Sequence, residues 1–260
     1  MTTAEEVQTV RRREAFVRAL DAGRPERIAG GFTRDDGNIA FYTRVNALLR
    51  PDGVVLDFGA GRGRQFDGRD LGYLQHLQKF QGKVARVIGI DVYDGVHEHP
   101  FLDESHVVAP GGALPLADQS VDVVVADWVL EHIDDPAQFA AELHRVLRPG
   151  GWLCARTVNR WGYVALGATI IPNSLHRRVL KGLVPTGKTE DVFDTRYRLN
   201  SIGKLNRYFP PPDWTNCSYV GNSLPRYFGK SLAMLRIFDF IHWLTPPPLR
   251  TDLFVFVQRR

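Results

Sequence analysis

The chain has 260 residues, 44% of them hydrophobic and 24% charged, with a formal net charge of +4, enough apolar content to bury a sizeable core as one enlarged domain. It lacks a run of about 18 apolar residues, which argues against a spanning helix, and its polar start, Met1 to Arg13, does not read as a secretory signal. Two cysteines, Cys154 and Cys217, cannot make a disulfide framework, so a reducing cytoplasm is expected, with membrane contact limited to the periphery.

In chain order, an alanine- and arginine-rich helix is predicted over about residues 4 to 22. A second follows Asp35-Asp36, with Ile39, Tyr42, Val45, Leu48 and Leu49 at helical spacing, and stops at Pro51. Strands are predicted at 54 to 58, 87 to 91, 106 to 109, 121 to 126, 151 to 158, 215 to 220 and 252 to 258, with helices or loops connecting them. A long excursion, about Asn159 to Asn206, separates the fifth and sixth strands; long excursions inside compact domains tend to be lids or binding segments. Tyr227 to Leu244 is densely apolar, with Lys230 and Arg236 interspersed. It reads as core, as a face between copies of the chain, or as an interfacial helix at a membrane surface.

The stretch Val54 to Gly63, VVLDFGAGRG, is the first to carry chemistry. An apolar, β-branched strand runs into Asp57, where open α/β sheets bind ligands, and then into Gly59, Gly61 and Gly63, which permit a tight turn and close approach of a ligand to the backbone. A nicotinamide fingerprint would place a third glycine where this chain has Arg64. A second strand, Val87 to Ile90, ends in Asp91, whose carboxylate can accept both hydroxyls of a ribose.

Together VVLDFGAGRG, VIGIDV at 87 to 92, LPLADQSVDVVVADWVLEHI at 114 to 133 and ELHRVLRPGGWL at 142 to 153 resemble the class I S-adenosylmethionine-dependent methyltransferases, type 11 group. The resemblance covers roughly residues 40 to 157. It implies an α/β, Rossmann-like, seven-stranded and mostly parallel sheet with helices on both faces and a C-terminal antiparallel hairpin. In that layout residues 1–50 form N-terminal helices, 51–158 the cofactor core, 159–206 a substrate-side insertion and 207–260 the completion of the sheet, all within one domain.

The resemblance also implies that S-adenosylmethionine is held by Asp57, Gly59, Ala60 and Gly61 at its methionine end, by Asp91 at the ribose and by Val92 against the adenine. Asp127 and Trp128 would lie near the methionine and sulfonium. Many relatives carry an acid before the Leu-Pro pair to meet the adenine amine. Here that place reads Ala109-Pro110-Gly111-Gly112, which leaves backbone groups near Ala113 and Leu114.

A hydroxyl acceptor needs a base, and His132 is the first candidate, because histidine is the side chain best suited to general-base work at neutral pH. Tyr163 and Tyr197 are alternatives, and with Arg196 they are expected at the acceptor. His97, His99 and His106 lack metal-ligand spacing, so no metal is expected.

From Arg156 onward the chain holds 16 Lys plus Arg against 6 Asp plus Glu, whereas the preceding part holds 17 against 23. The basic half is either a solvated face or a site for an anionic partner. The stretches Thr157 to Tyr163 and Asp194 to Asn200 look like those of bacterial methyltransferases of cell-surface polysaccharide or glycolipid synthesis, though Val158 stands where proline is usual. A saccharide or lipid-linked glycan is therefore the favoured acceptor, with a quinone-like or other metabolite as alternative. No nucleic-acid recognition motif accompanies the charge, which ranks RNA lower, and a catalytically silent cofactor-binding module is the reading from a different class.

Overall fold

The computed structural model describes residues 14–66, 72–163, 165, 195–225 and 231–260. Eight strands form one sheet: β1 (Val54–Phe58), β2 (Arg86–Asp91), β3 (Glu104–Val107), β4 (Val121–Asp127), β5 (Leu147–Val158), β6 (Trp214–Asn216), β7 (Tyr219–Gly221) and β8 (Asp252–Arg259). Their order is β3-β2-β1-β4-β5-β8-β6, with β7 also pairing with β8. The first five are parallel and β8 runs antiparallel to β5, β6 and β7.

The expected mixed α/β sheet with an antiparallel C-terminal end is present, with one difference in strand number. The single strand expected at 215 to 220 is split at Cys217-Ser218. There Phe256 receives the Cys217 N–H on its carbonyl, and its own N–H donates to the Ser218 hydroxyl at 3.1 Å, so a side chain substitutes for one rung of the ladder.

Alternating residues of the parallel strands feed two cores, because a strand buried on both faces presents successive side chains to opposite sides. Leu56, Ile88, Val124 and Leu153 face a helix, α4 (Pro136–Val146), through Phe139, Leu143 and Val146. Val55, Val87, Val123 and Cys154 face α2 (Gly37–Leu48) through Phe41, Tyr42 and Val45. Both helices start at aspartate caps: Asp36 accepts from Asn38 and Ile39 N–H, and Asp135 from Ala137 and Gln138 N–H.

Residues 14–23 are helical (α1), as expected for that part of the first predicted helix; residues 1–13 lie outside the described residues. Three further helices are α3 (Tyr73–Gln78), α5 (Ile202–Tyr208) and α6 (Leu232–Leu244). Arg24, 3% exposed, joins α1 to α6 by bonding both Asp35 and Asp239.

Of the apolar α6 segment only Leu235 is fully buried, while Phe240, Trp243 and Leu244 are 59%, 78% and 66% exposed. The core reading of that segment is thus corrected: α6 packs through one narrow stripe and presents the rest outward. Among the described residues no helix is long and apolar enough to cross a membrane.

Candidate functional site

Because β1, β2, β4 and β5 are parallel, Asp57, Asp91, Asp127 and Val158 all end at the same edge of the sheet. Open α/β sheets bind ligands at that edge. The glycine turn covers it beside β1. Gly59 and Ala60 donate N–H bonds to the Ile90 carbonyl at 2.7 and 3.2 Å, which docks the turn on β2. Gly59, Gly61 and Gly63 have φ of +77°, +59° and +69°, a region that disfavours side chains. A methyl at Gly59 would meet Val129 at 2.4 Å, whereas one at Gly61 would meet nothing within 4 Å among the described residues. The turn is therefore packed at Gly59 and open at Gly61.

Asp91 is not simply presented to solvent. One carboxylate oxygen accepts the Gly61 N–H at 2.9 Å and the other the Tyr93 N–H at 3.0 Å. A carboxylate oxygen can accept more than one bond, so Asp91 both fixes the turn and retains capacity for ribose hydroxyls. Val92 beside it is 43% exposed.

Asp127 is bonded within the fold. Both of its oxygens are taken by Arg156, at 2.9 and 2.8 Å, and Tyr42 donates its hydroxyl at 3.0 Å. Arg156 is 2% exposed and lies on β5 opposite Asp127, between the rings of Phe41 and Trp128 at 5.5 and 5.1 Å. Burial opposes the arginine's charge and Asp127 more than offsets that, so its pKa is held above the ordinary value. Asp127 thus belongs to a clamp between β4 and β5, at the strand end where it was expected. Trp128, φ +59°, is pinned by its N–H on the Arg156 carbonyl at 2.8 Å.

Asp57 is the opposite case. Among the described residues no donor meets its carboxylate, and burial, with Asp127 and Asp91 adding to it, pushes its pKa up to about 7. Leu114 is bonded within the fold: its side chain is buried in the core, its N–H donates to Glu142 at 2.7 Å and its carbonyl accepts from Arg145 at 2.9 Å. Ala113 beside it is exposed.

His132 follows β4 in a short 3-10 turn, Leu130–His132, and is half-buried. Its neighbour Glu131 is buried, and that burial raises its pKa despite a 2.5 Å bond from the Thr157 hydroxyl. The Glu131 carbonyl accepts the N–H groups of Arg196, at 2.6 Å, and Tyr197. Asn200 donates to Thr157 at 2.7 Å and to the Val158 carbonyl. Glu131 thereby staples residues 195–200 to the ends of β4 and β5.

A cleft of about 390 Å³ opens at this staple, lined by Arg160, Arg196, Arg198 and Lys204 together with Trp161, Tyr197 and Tyr208. Arg196 and Tyr197, two of the three residues expected at the acceptor, line this cleft; Tyr163 is not among its lining. Its hydroxyl lies 2.9 Å from His242 Nε2 and its ring stacks on Phe238, so it packs against α6. His176, Arg177 and Arg178 lie outside the described residues.

The sequence reading missed Arg156 and Tyr42, although a charge inside the apolar run Trp152 to Val158 was a visible signal. It also missed Lys204 and Tyr208 on α5, which no local pattern marks. The histidines have local roles. His97 meets Ser105 and His106 meets Glu104. His99 is buried under Gly63, its pKa pushed down to about 4 by that burial, so it is neutral at pH 7.

Residues 56–155 match the family described as a methyltransferase domain. A probable S-adenosylmethionine-dependent methyltransferase of Mycolicibacterium smegmatis is 40% identical over 111 residues, 41% of this chain and 38% of that protein. An uncharacterized methyltransferase of Mycobacterium avium is 53% identical over 161 residues, 53% of this chain and 58% of that one. The chain thus spans well under two thirds of either relative. In fold it is similar to geranyl diphosphate C-methyltransferase of Streptomyces coelicolor, with a TM-score of 0.50 at 14% identity, covering 85% of this chain and 78% of that structure. Residues 56–155, with the parallel sheet and glycine turn they build, belong to the class I S-adenosylmethionine-dependent methyltransferase family, type 11.

Proposed function

We propose that this chain binds S-adenosylmethionine at the edge formed by β1 and β2 and transfers its methyl group to a hydroxyl of a saccharide or lipid-linked glycan. The observation that carries the cofactor assignment is the pairing of an unmet Asp57 carboxylate with a glycine turn whose Gly61 side is open. S-adenosylmethionine, when bound, supplies a methyl group on a positively charged sulfonium.

In this reading Asp57 offers its carboxylate to the cationic methionine end, and Gly59, Ala60 and Gly61 bring backbone close to it. Asp91 takes the ribose hydroxyls, and Val92 and Ala113 flank the adenine. Trp128 covers the sulfonium side and helps exclude water. His132 takes the proton that the acceptor hydroxyl gives up in this reading, since an unassisted hydroxyl is a poor nucleophile. Arg196 and Tyr197 contact the acceptor in the cleft.

The outward apolar face of α6, with Arg236 on the same helix, supports the lipid-linked form of the acceptor. The moderate cleft volume also suits a quinone-like or other small metabolite. Incubation with S-adenosylmethionine labelled in its methyl group and fractionated cell extract, followed by mass spectrometry, should place the label on a sugar oxygen. Label confined to sugar-free metabolites would move the acceptor to that class, and absence of cofactor binding by calorimetry would overturn the whole reading.

A further inference from the structure

Helix α6 is inverted for a helix that faces water. Its inward stripe, Leu235, Phe238, Asp239 and His242 at the spacing of one helical face, includes both an acid and a histidine. Leu235 and Phe238 pack with Ala19 and Leu20 of α1, Asp239 accepts from the buried Arg24 at 3.0 Å, and His242 Nε2 meets the Tyr163 hydroxyl at 2.9 Å. The polar groups are turned inward.

The same spacing on the outward side gives Ile237, Phe240, Ile241 and Leu244, all exposed, with the still more exposed Trp243 stacked on Phe240 at 5.8 Å. Just beyond the helix the prolines 246 to 248 and Leu249 continue an exposed apolar edge. Of the two charged residues of α6, Arg236 is exposed and Asp239 is not. Soluble monomers rarely leave so continuous an apolar face to water.

Two occupants suit such a face, a second copy of the chain or a lipid surface, and size and charge decide between them. The 13 residues of α6 make a rod about 20 Å long whose outward half offers roughly 350 Å². A stable dimer takes about 800 Å² from each partner. An amphipathic helix at a membrane needs only its own face, with tryptophan and phenylalanine at the headgroup boundary and cations nearby for anionic lipids. The chain from Arg156 onward, which carries α6, holds 16 Lys plus Arg against 6 Asp plus Glu. That balance is complementary to an anionic surface.

We infer that α6 is an interfacial helix that docks the protein along an anionic lipid surface, with Phe240, Trp243 and Leu244 at the acyl boundary and Arg236 among the headgroups. The docking goes beyond the methyl-transfer reading and does not depend on it, since it uses neither the cofactor edge nor the acceptor cleft.

Co-sedimentation of the full chain with vesicles of one part phosphatidylglycerol to two parts phosphatidylcholine tests it. Capture of the wild type is expected at low salt, about tenfold weaker in Trp243→Ser, which withdraws one large apolar side chain from the lipid. The double variant Phe240→Ser with Trp243→Ser should lose capture. Both positions are exposed, so each variant should fold, and unchanged S-adenosylmethionine affinity would verify it. Vesicles of phosphatidylcholine alone should capture less, and salt should weaken capture on the anionic ones. With brominated lipid, the quenching of tryptophan fluorescence should fall in Trp243→Phe.

No capture overturns the proposal, as does capture that the double variant retains or that neutral vesicles match. A dimer in sedimentation velocity that the double variant dissociates, with no vesicle capture, assigns the face to a second copy and overturns it too. Quenching undiminished in Trp243→Phe puts another surface against the lipid, with the same consequence. Failed capture with cofactor binding intact would leave the methyl-transfer reading standing, and capture without cofactor binding would do the opposite.

Discussion

The carboxyl ends of β1 and β4 lie side by side, and each finishes near an aspartate, yet the two acids are in opposite states. Asp127 has both oxygens on Arg156 and a third bond from Tyr42. Asp57 meets no donor among the described residues and is pushed toward neutrality by burial and by the neighbouring carboxylates. Partners contributed by β5 and α2 make Asp127 part of the scaffold. Their absence at Asp57 among the described residues leaves a carboxylate open to a partner, a common mark of a site rather than of a core. The comparison separates structural from ligand-facing residues within one row of acids.

Removing the arginine breaks the comparison most severely, because it would leave Asp127 with the Tyr42 hydroxyl but no charged partner among those it has now. Arg156→Met should cost about 3–5 kcal/mol of stability in urea unfolding, the usual penalty for leaving one partner of a buried ion pair alone. Adding Asp127→Asn to that variant should recover part of the loss. A loss near ~0.5 kcal/mol or below, as at ordinary surface positions, would show that the clamp is not structural.

The glycine turn sharpens the same division between packed and open positions. Gly59→Ala and Gly61→Ala each force a side chain into a left-handed backbone, at about 1–2 kcal/mol. Gly59→Ala also drives its methyl into Val129 and should lose about 1–3 kcal/mol more through overpacking. Gly61→Ala, with open space around its methyl, should unfold closer to the wild type but bind S-adenosylmethionine more weakly relative to its stability. Equal unfolding midpoints for the two variants would remove the distinction between the packed and the open side of the turn.

The division follows what a sequence can display. The parallel strands, the glycine turn and the position of Asp91 were legible because each is local: a β-branched run, glycines at fixed offsets, an acid ending a strand. Asp127 was placed at its strand end but its clamp was not foreseen, since its partners Arg156 and Tyr42 are 29 and 85 residues away. Tyr163 and Tyr197 looked equivalent as aromatic residues beside arginines. A bond to His242 turns the first toward α6, and two N–H bonds to Glu131 hold the second at the cleft. Lys204 and Tyr208 reach the cleft only because α5 packs there, which no spacing records. The split of the strand at Cys217-Ser218 depended on a single serine side chain supplying a ladder bond.

The last expected effect is also the most direct reading of Asp57. Its folded pKa of about 7 exceeds the unfolded value of 3.8, so between those values the folded protein holds more protons. Stability from this group therefore falls as pH rises from about 4 to about 7 and is level above that. Binding a cationic cofactor favours the ionised form. Affinity for S-adenosylmethionine should then rise about tenfold per pH unit up to pH 7 and level off, with a proton released on binding below that point. Titrations in buffers of different ionisation enthalpy would count the proton. Asp127 and Asp91 face the same group, but Asp127 is clamped by Arg156 and Asp91 by two backbone N–H bonds. Asp57→Asn should accordingly abolish the slope, giving weak and pH-independent binding. A wild-type affinity that is flat across this range would mean that the Asp57 carboxylate does not meet the cation, and the contrast with Asp127 would then mark only a difference in packing.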